Sequence, residues 1–296
     1  MTSTLAKLYN NLTRDSIRVL QTIESLLQKY EYPPLELVEK KSKLPPGRFR
    51  KALSLLNELG LLRRSKHQLM GYTLTFQALD ILALHTFVMR GTISELGPKL
   101  GVGKESEVYD AVTSAGKRVV VKFHREGARA FRTLKRHRSF ATDMPRKKWL
   151  QKAKLIGQRE YKALDELYRL GARVPMPIDY NRHAVVQEYV EGVELHVIDR
   201  DGLPNPLETL EMILDTLAIA YQKAGIVHGD LSEYNIVVTI EDGTPYIIDW
   251  PQYVYKDDPT APDLLRRDVW YIIRFFKKRF RVEIPLDQAL RRVTGE

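Results

Sequence analysis

The sequence predicts an α+β protein in two parts: a small helical domain with one β-hairpin over residues 1–90, then a larger domain of two lobes, 91–190 and 191–296. Three observations predict it. Apolar residues recur at helical spacing through most of the first 90 residues, and from Ile93 the period changes to that of strands. The third observation is the stretch from His228 to Trp250, HGDLSEYNIVVTIEDGTPYIIDW, in which two β-branched runs flank Asp242-Gly243. That is a strong hairpin signal, and it leaves Asp230, Asn235 and Asp249 at the open end.

Composition narrows the classes. A chain of 296 residues with 44% apolar and 28% charged residues is an ordinary globular sequence with no disorder signature. The absence of cysteine excludes disulfides and thiolate metal sites. The first residues lack a signal-peptide core and no run approaches a membrane span, so a cytoplasmic location without membrane contact is expected. The net charge of +10 is uneven: residues 117–159 carry 15 Lys/Arg against 2 Asp/Glu. Such a block is either a solvated surface or a contact for a polyanion.

Within 1–90, Thr13 caps a helix whose face is Ile17, Leu20, Ile23, Leu26 and Leu27, and Tyr32-Pro33-Pro34 breaks it. A short helix follows over 35–41. After Leu44-Pro45-Pro46-Gly47, a third carries Phe49, Ala52, Leu53, Leu56 and Leu59 and stops at Gly60. Leu61-Leu62 and Tyr72-Thr73-Leu74 suggest a hairpin, and Phe76 to Met89 a closing helix. This order resembles a winged helix-turn-helix domain. It would display Arg48, Arg50 and Lys51 on its third helix and Arg63, Arg64, Lys66 and His67 on its wing. Those residues suit phosphate-backbone contact, or a protein-docking face; nothing among them specifies bases.

In 91–190, Leu100 to Tyr109 is a glycine-containing turn entering a strand. Its backbone N–H groups can form an anion nest. Lys122 closes the strand Val119-Val120-Val121, at a fixed depth suited to the α/β-phosphates. A helix beginning at Arg159 and ending at Gly171 offers Glu160 as the anionic partner of Lys122, with Glu166 as the alternative. Val185 to Gly192 reads as a strand running into an inter-lobe hinge. There, backbone groups of Glu188 and Val190 can hydrogen-bond an adenine edge, with Gln187 behind.

In the last lobe, a helix from Leu207 to Ala224 leads to Ile226-Val227-His228. Asp230 would orient or deprotonate an attacking hydroxyl, while Asn235 and Asp249 would hold a hard divalent cation on a polyphosphate. His228 fits an orienting role rather than that of a base. Asp268, on a helix over 261–280, would brace the catalytic loop or serve the core elsewhere. The 47 residues after Asp249 contain no peptide-docking segment of ordinary protein-kinase type.

HGDLSEYN with IIDW, LGVGKESEVY and VVVKFHR together resemble the RIO family of atypical serine/threonine protein kinases, and the N-terminal winged helix resembles its type-two subfamily. The resemblance spans nearly the whole chain. It implies a compact bilobal protein-kinase-like domain lacking the peptide-docking subdomains, using ATP with Mg or Mn. It implies a phosphate loop over 101–106 with Ser106 as its hydroxyl, Lys104 and Glu105 beside it and Val108 as a further nucleotide contact, Lys122 as the ATP lysine, and Asp230 as the catalytic Asp. Asn235 and Asp249 become the metal ligands. It further implies autophosphorylation and a role on the maturing small ribosomal subunit. Contact with rRNA would run through the winged helix and the basic 117–159 segment, and phosphate would go to a protein substrate or the chain itself. Asp249 is a second catalytic candidate, because the metal-binding Asp of this family can carry phosphate in an ATPase cycle. Two features depart from ordinary patterns: Ser232 stands where protein kinases carry Lys, and the segment after Lys122 has Ala where a hydroxyl is expected. Thr133, Ser139 and Thr142 are left as phosphosite candidates.

Two other functions fit parts of the pattern. A small-molecule kinase of the aminoglycoside or choline type shares HGD…N…IIDW, but needs a larger C-terminal helical region. A nucleotide-sensing, nucleic-acid-binding winged-helix protein would not need Lys122, Asp230, Asn235 and Asp249 intact together.

Overall fold

Three hydroxyl side chains set the start of three N-terminal helices. Ser3 accepts the Ala6 N–H, Thr13 that of Ser16 and Thr75 that of Ala78, each satisfying an N–H the helix itself leaves without a partner. A computed structural model describes residues 3–65, 71–102, 106–125, 149–239 and 241–296. Helices α1 (Thr4–Asn10), α2 (Arg14–Leu26), α3 (Leu35–Ser42) and α4 (Pro46–Glu58) precede strands β1 (Leu62–Arg64) and β2 (Tyr72–Leu74) and helix α5 (Phe76–Met89). Apart from α1, this is the winged-helix order expected from periodicity. Val19, Leu20, Ile23, Phe49, Leu56 and Leu61 form its core, and β1 and β2 pair antiparallel with Leu62 opposite Leu74. Arg48, expected to be displayed on α4, is exposed and holds Asp15 with two 2.7 Å hydrogen bonds. Arg50, Lys51, Arg63 and Arg64 are exposed, while Lys66 and His67 lie outside the described residues.

An antiparallel meander follows: β3 (Glu95–Val102), β4 (Ser106–Val112) and β5 (Arg118–His124). Strand β3 does not read as a strand, because Gly97, Pro98 and Gly101 are strand breakers. Pairing with β4 imposes it, at the cost of two register shifts around Pro98. Helix α6 (Trp149–Arg169) starts ten residues before the expected Arg159; Ala153 and Ile156 are buried on it, a face the dense positive charge obscured.

Strands β6 (Pro177–Asn181), β7 (Ala184–Glu188) and β8 (Val193–Glu194) lead to helix α7 (Pro206–Ala218). A π-helical turn over Ile219–Lys223 completes the length expected for α7. Then come β9 (Ile226–Val227), the hairpin β10 (Ile236–Val238) and β11 (Pro245–Ile247), β12 (Val254–Tyr255), and helices α8 (Ala261–Phe280) and α9 (Leu286–Thr294). Strand β10 is central between β11 and β8, and β12 pairs with β9. Trp250, Leu210, Leu214, Val269, Ile272 and Phe276 are among the residues of one apolar core that joins these elements.

The chain divides into two compact units. The first holds the described residues up to 125 together with 149–155 and 180–184; the second holds 156–179 and 185–296. Among the described residues no helix is long and apolar enough to cross a membrane.

Candidate active site

In the first unit the site is built on the pairing of β4 with β5. Val108 lies opposite Lys122 and Ser106 opposite His124. Side chains two apart share a face, and directly paired residues share it too. Ser106, Val108 and Lys122 therefore project from one side of the sheet. Lys122 is 6% exposed, on a strand whose opposite face carries the fully buried Val119 and Val121. The two loop residues Lys104 and Glu105 lie outside the described residues, as do Thr133, Ser139 and Thr142.

The end of β5 is fastened by a charge network that the sequence did not announce. Arg125 grips Asp80 of α5 with bonds of 2.7 and 2.6 Å and also reaches Glu107 at 3.2 Å. The His183 Nε2 meets Asp80 Oδ1 at 2.7 Å, and the His124 N–H donates to the His183 carbonyl. Beside it, Arg182 pairs with Glu24 of α2 through two bonds of 2.8 and 2.6 Å, joined by Lys154 at 2.9 Å. Burial raises the Glu24 carboxyl, but Arg182 and Lys154 outweigh it, leaving it below the usual glutamate value. Burial holds the His183 imidazole below its usual value despite Asp80.

In the second unit the loop after β9 is held from both sides. His228 Nε2 lies 3.1 Å from the Ile248 carbonyl, and the Asp230 N–H reaches His228 Nδ1 at 3.3 Å. The neutral ring with its proton on Nε2 satisfies both contacts at once. Below the loop, Asp268 of α8, only 1% exposed, accepts the Gly229 N–H at 2.6 Å and the Leu231 N–H at 3.3 Å. Arg267 donates to the Gly229 carbonyl at 2.6 Å. Gly229 has φ +76, a left-handed conformation that suits glycine. Burial raises the Asp268 carboxyl, against His228, Arg267 and the two N–H donors. Asp268 thus braces the loop, one of the two roles the sequence allowed, and the Asp230 side chain is left exposed at its crest.

Hairpin register brings the other two residues together. Ile236 pairs with Ile247, and the Ile248 N–H donates to the Asn235 carbonyl at 2.9 Å, so Asp249 follows one step beyond Asn235's partner. The Asn235 Nδ2 donates to the Asp230 carbonyl at 2.8 Å, which ties Asn235 to the loop and turns its Oδ1 to the other side. Asp249 itself has φ +68. Asp is among the few residues that accept this conformation readily, and there the chain turns out of the sheet into buried Trp250.

Arg159 was not singled out from sequence. It donates to the Pro251 carbonyl at 3.2 Å and to that of Tyr253, and its guanidinium lies 4.1 Å from the Tyr253 ring centre. It ties α6, which carries fully buried Glu160, to the segment after Asp249. At the expected hinge, the Glu188 N–H is taken by the Met176 carbonyl at 2.9 Å, so an adenine reading falls to the Glu188 carbonyl and to Val190. Gln187 behind it is buried, and its Oε1 has no hydrogen-bond partner among the described residues.

The donors present fit a nucleotide and a hard cation. The Asn235 amide oxygen and the Asp249 carboxylate are oxygen donors of the kind a hard cation takes, and no group of three or more His, Cys, Asp or Glu suited to a metal occurs among the described residues. Two protein oxygens are what Mg²⁺ uses when phosphates and water complete its shell. A meander ending on a buried lysine, followed in the chain by a braced loop and hairpin carrying Asp, Asn and Asp in that order, places the molecule in the class of protein-kinase-like folds.

Comparison narrows that class. Residues 107–289 match the RIO domain and residues 9–90 the Rio2 N-terminal domain. The RIO-type serine/threonine-protein kinase Rio2 of Methanocaldococcus jannaschii is 38% identical over 255 residues, which cover 85% of this chain and 92% of that protein. The Saccharomyces cerevisiae serine/threonine-protein kinase RIO2 is 31% identical over 288 residues, 94% of this chain and 67% of that protein. A Chaetomium thermophilum Rio2 kinase structure, an ADP/Mg²⁺-phosphoaspartate complex, superposes with a TM-score of 0.81 at 33% identity, covering 98% of this chain and 89% of the other. The chain belongs to the RIO family, in its Rio2 branch.

Proposed function

We propose that this protein is an ATP-dependent serine/threonine protein kinase that can also hydrolyse ATP through its own aspartate. The observation that carries this reading is the loop from His228 to Asn235, pinned by Asp268 below and His228 above so that Asp230 is presented outward at its crest. Asp230 accepts the proton of a hydroxyl as its oxygen attacks the γ-phosphorus, and the bond from that phosphorus to the β-phosphate bridging oxygen breaks. Asn235 and Asp249 are the oxygen ligands for Mg²⁺, which when bound neutralises phosphate charge. Mn²⁺ suits the same two donors. Lys122, Ser106, Val108 and the 101–106 loop, including Lys104 and Glu105, take the ATP phosphates, with Glu160 as the counter-charge for Lys122. The Glu188 carbonyl and Val190 N–H take the adenine edge, beside the Gln187 oxygen that has no hydrogen-bond partner among the described residues. Phosphoryl transfer of this kind asks for position and charge neutralisation rather than covalent help from the protein.

The Chaetomium relative carries a phosphoaspartate, and Asp249 is the residue of this chain we place in that role: it takes the phosphoryl group from ATP and loses it to water. The partner we propose is a maturing small ribosomal subunit. Its rRNA would be met by Arg50, Lys51, Arg63 and Arg64 of the winged helix and by the basic 117–159 segment. The test is incubation with γ-labelled ATP and Mg²⁺, alone and with small ribosomal subunits, separating label on serine, label on aspartate and free phosphate. Acid-stable label on serine or threonine supports the kinase, and base-labile label with released phosphate supports the aspartyl cycle. No label and no phosphate would overturn both.

A further inference from the structure

The outward side of α8 in the second unit carries a feature that phosphoryl transfer does not use. A cleft of about 450 Å³ is lined by Glu233, Tyr271, Arg274, Phe275, Lys278 and Arg279. Trp270 and Tyr271, 38% and 44% exposed, meet edge to face at 5.2 Å, and the Arg274 guanidinium lies 4.7 Å from the Trp270 ring centre. Next to Glu233 in the chain, Tyr234 is 58% exposed, its ring centre 4.5 Å from that of His196. A protein that needed only solubility here would not place three aromatic rings in water beside a run of cations.

The cations sort into engaged and available ones. Lys277 pairs with Glu283, Arg266 with Asp287, Arg267 with the catalytic loop, and Arg279 with the Ile198 carbonyl and Asp199. Arg274 and Lys278 make no ion pair among the described residues, and both are exposed, one helical turn apart. Glu233 is the acidic member of the cleft. Its carboxylate would repel an acidic peptide, yet it suits the amino edge of a nucleobase, as an acceptor for a base N–H. Exposed aromatic faces interleaved with unpaired cations, and one acceptor at the end, match the demands of single-stranded nucleic acid: stacking for bases and charge for phosphates. The volume suits one or two nucleotides.

We propose that this cleft binds single-stranded RNA, with a base stacked on Tyr271, the flanking phosphates on Arg274 and Lys278, and Glu233 at the base edge. Because Glu233 belongs to the same turn as Asn235, the bound strand lies against the loop that carries Asp230. The inference rests on the ribosomal reading above only for the source of the RNA; the binding chemistry stands on the cleft alone.

The test is fluorescence anisotropy of a labelled single-stranded dodecamer RNA with the full chain, titrated at several salt concentrations. Arg274→Glu with Lys278→Glu should weaken binding at least tenfold and lower the salt slope by about 1.4, the value for two phosphates on a single strand. Tyr271→Ala should weaken binding about tenfold with the slope unchanged, and Tyr271→Phe should restore it. Circular dichroism and basal ATP turnover, which none of these residues serves, should match the parent chain. The comparison variant is Arg63→Glu with Arg64→Glu in the winged helix. If it loses RNA while the cleft variants bind like the parent, the cleft proposal fails and the winged-helix reading stands. If the cleft variants lose RNA and it does not, the cleft proposal stands and the winged-helix reading fails. Competition by polyglutamate as effective as by RNA, with no effect of Tyr271→Ala, would mark an acidic-protein site and overturn the proposal.

Discussion

Asp230 and Asp249 have the same side chain, and backbone context separates the tasks proposed for them. Asp230 sits on a loop crest where His228 Nδ1 accepts its backbone N–H, so its place is set through the backbone. Asp230→Ala should lower phosphoryl transfer by about 10²–10⁴-fold while nucleotide affinity is retained. Single-turnover kinetics beside a nucleotide titration read this, and parent-like turnover would remove Asp230 from the role of base. Asp249 occupies a left-handed conformation, φ +68. Asn accepts that conformation as well as Asp does, so Asp249→Asn should fold normally and lose only the carboxylate. Calorimetric titration of nucleotide with and without Mg²⁺ should then show affinity that no longer responds to the metal. An intact Mg²⁺ response would place the cation elsewhere.

At the scale of the element, α8 does two jobs with opposite faces. Its inner face packs Val269, Ile272 and Phe276 into the core and sends Asp268 under the catalytic loop. Asp268→Ala leaves two buried N–H donors without an acceptor, a cost of about 1–3 kcal/mol. The variant should melt at a lower temperature and lose turnover more than nucleotide affinity, since the loop that it frees presents Asp230. Asp268→Asn, which keeps an acceptor oxygen, should recover part of both; a loss of stability with unchanged kcat would make Asp268 a core residue only. The hairpin β10–β11 was legible because Asp242-Gly243 marks its turn and β-branched runs its legs. Strands β3, β8 and β12 were not, since two-residue strands and glycine-rich ones carry no period of their own and exist only through their partners. Helix α9 was also passed over, although Ala289 and Val293 have helical spacing and are buried.

At the scale of the molecule, the first unit joins the winged helix to the strand carrying Lys122 through buried charge. Glu24 and His183 are both harder to protonate in the folded chain than in the unfolded one. Acidification therefore favours the unfolded state. The contribution of His183 is present above its ordinary value of 6.5 and is lost as pH falls below it; that of Glu24 is lost as pH falls below 4.5. Thermal unfolding followed from pH 7.5 downward should show stability declining first below about pH 6.5 and more steeply below about pH 4.5. His183→Gln should flatten the first limb and leave the second. A flat profile down to pH 5 in the parent chain would show that His183 does not carry this linkage. The same network explains why Arg125 matters although it follows the Lys122 strand: it fastens the end of that strand to α5.

By itself the sequence determined the winged-helix order, the family resemblance, and the set of candidate site residues. Each of these rests on local pattern: helical period, turn residues, and polar side chains at fixed spacing. It determined Asp268 only as one of two possibilities, and it gave no sign of Arg159, Arg125, Asp80, His183 or the cleft on α8. Those depend on contacts between residues far apart in the chain, such as Gly229 with Asp268, Arg159 with Pro251, and Asp80 with Arg125. No period or spacing encodes such partners, because the energy that selects them, desolvated charge meeting its complement, exists only once the chain has folded.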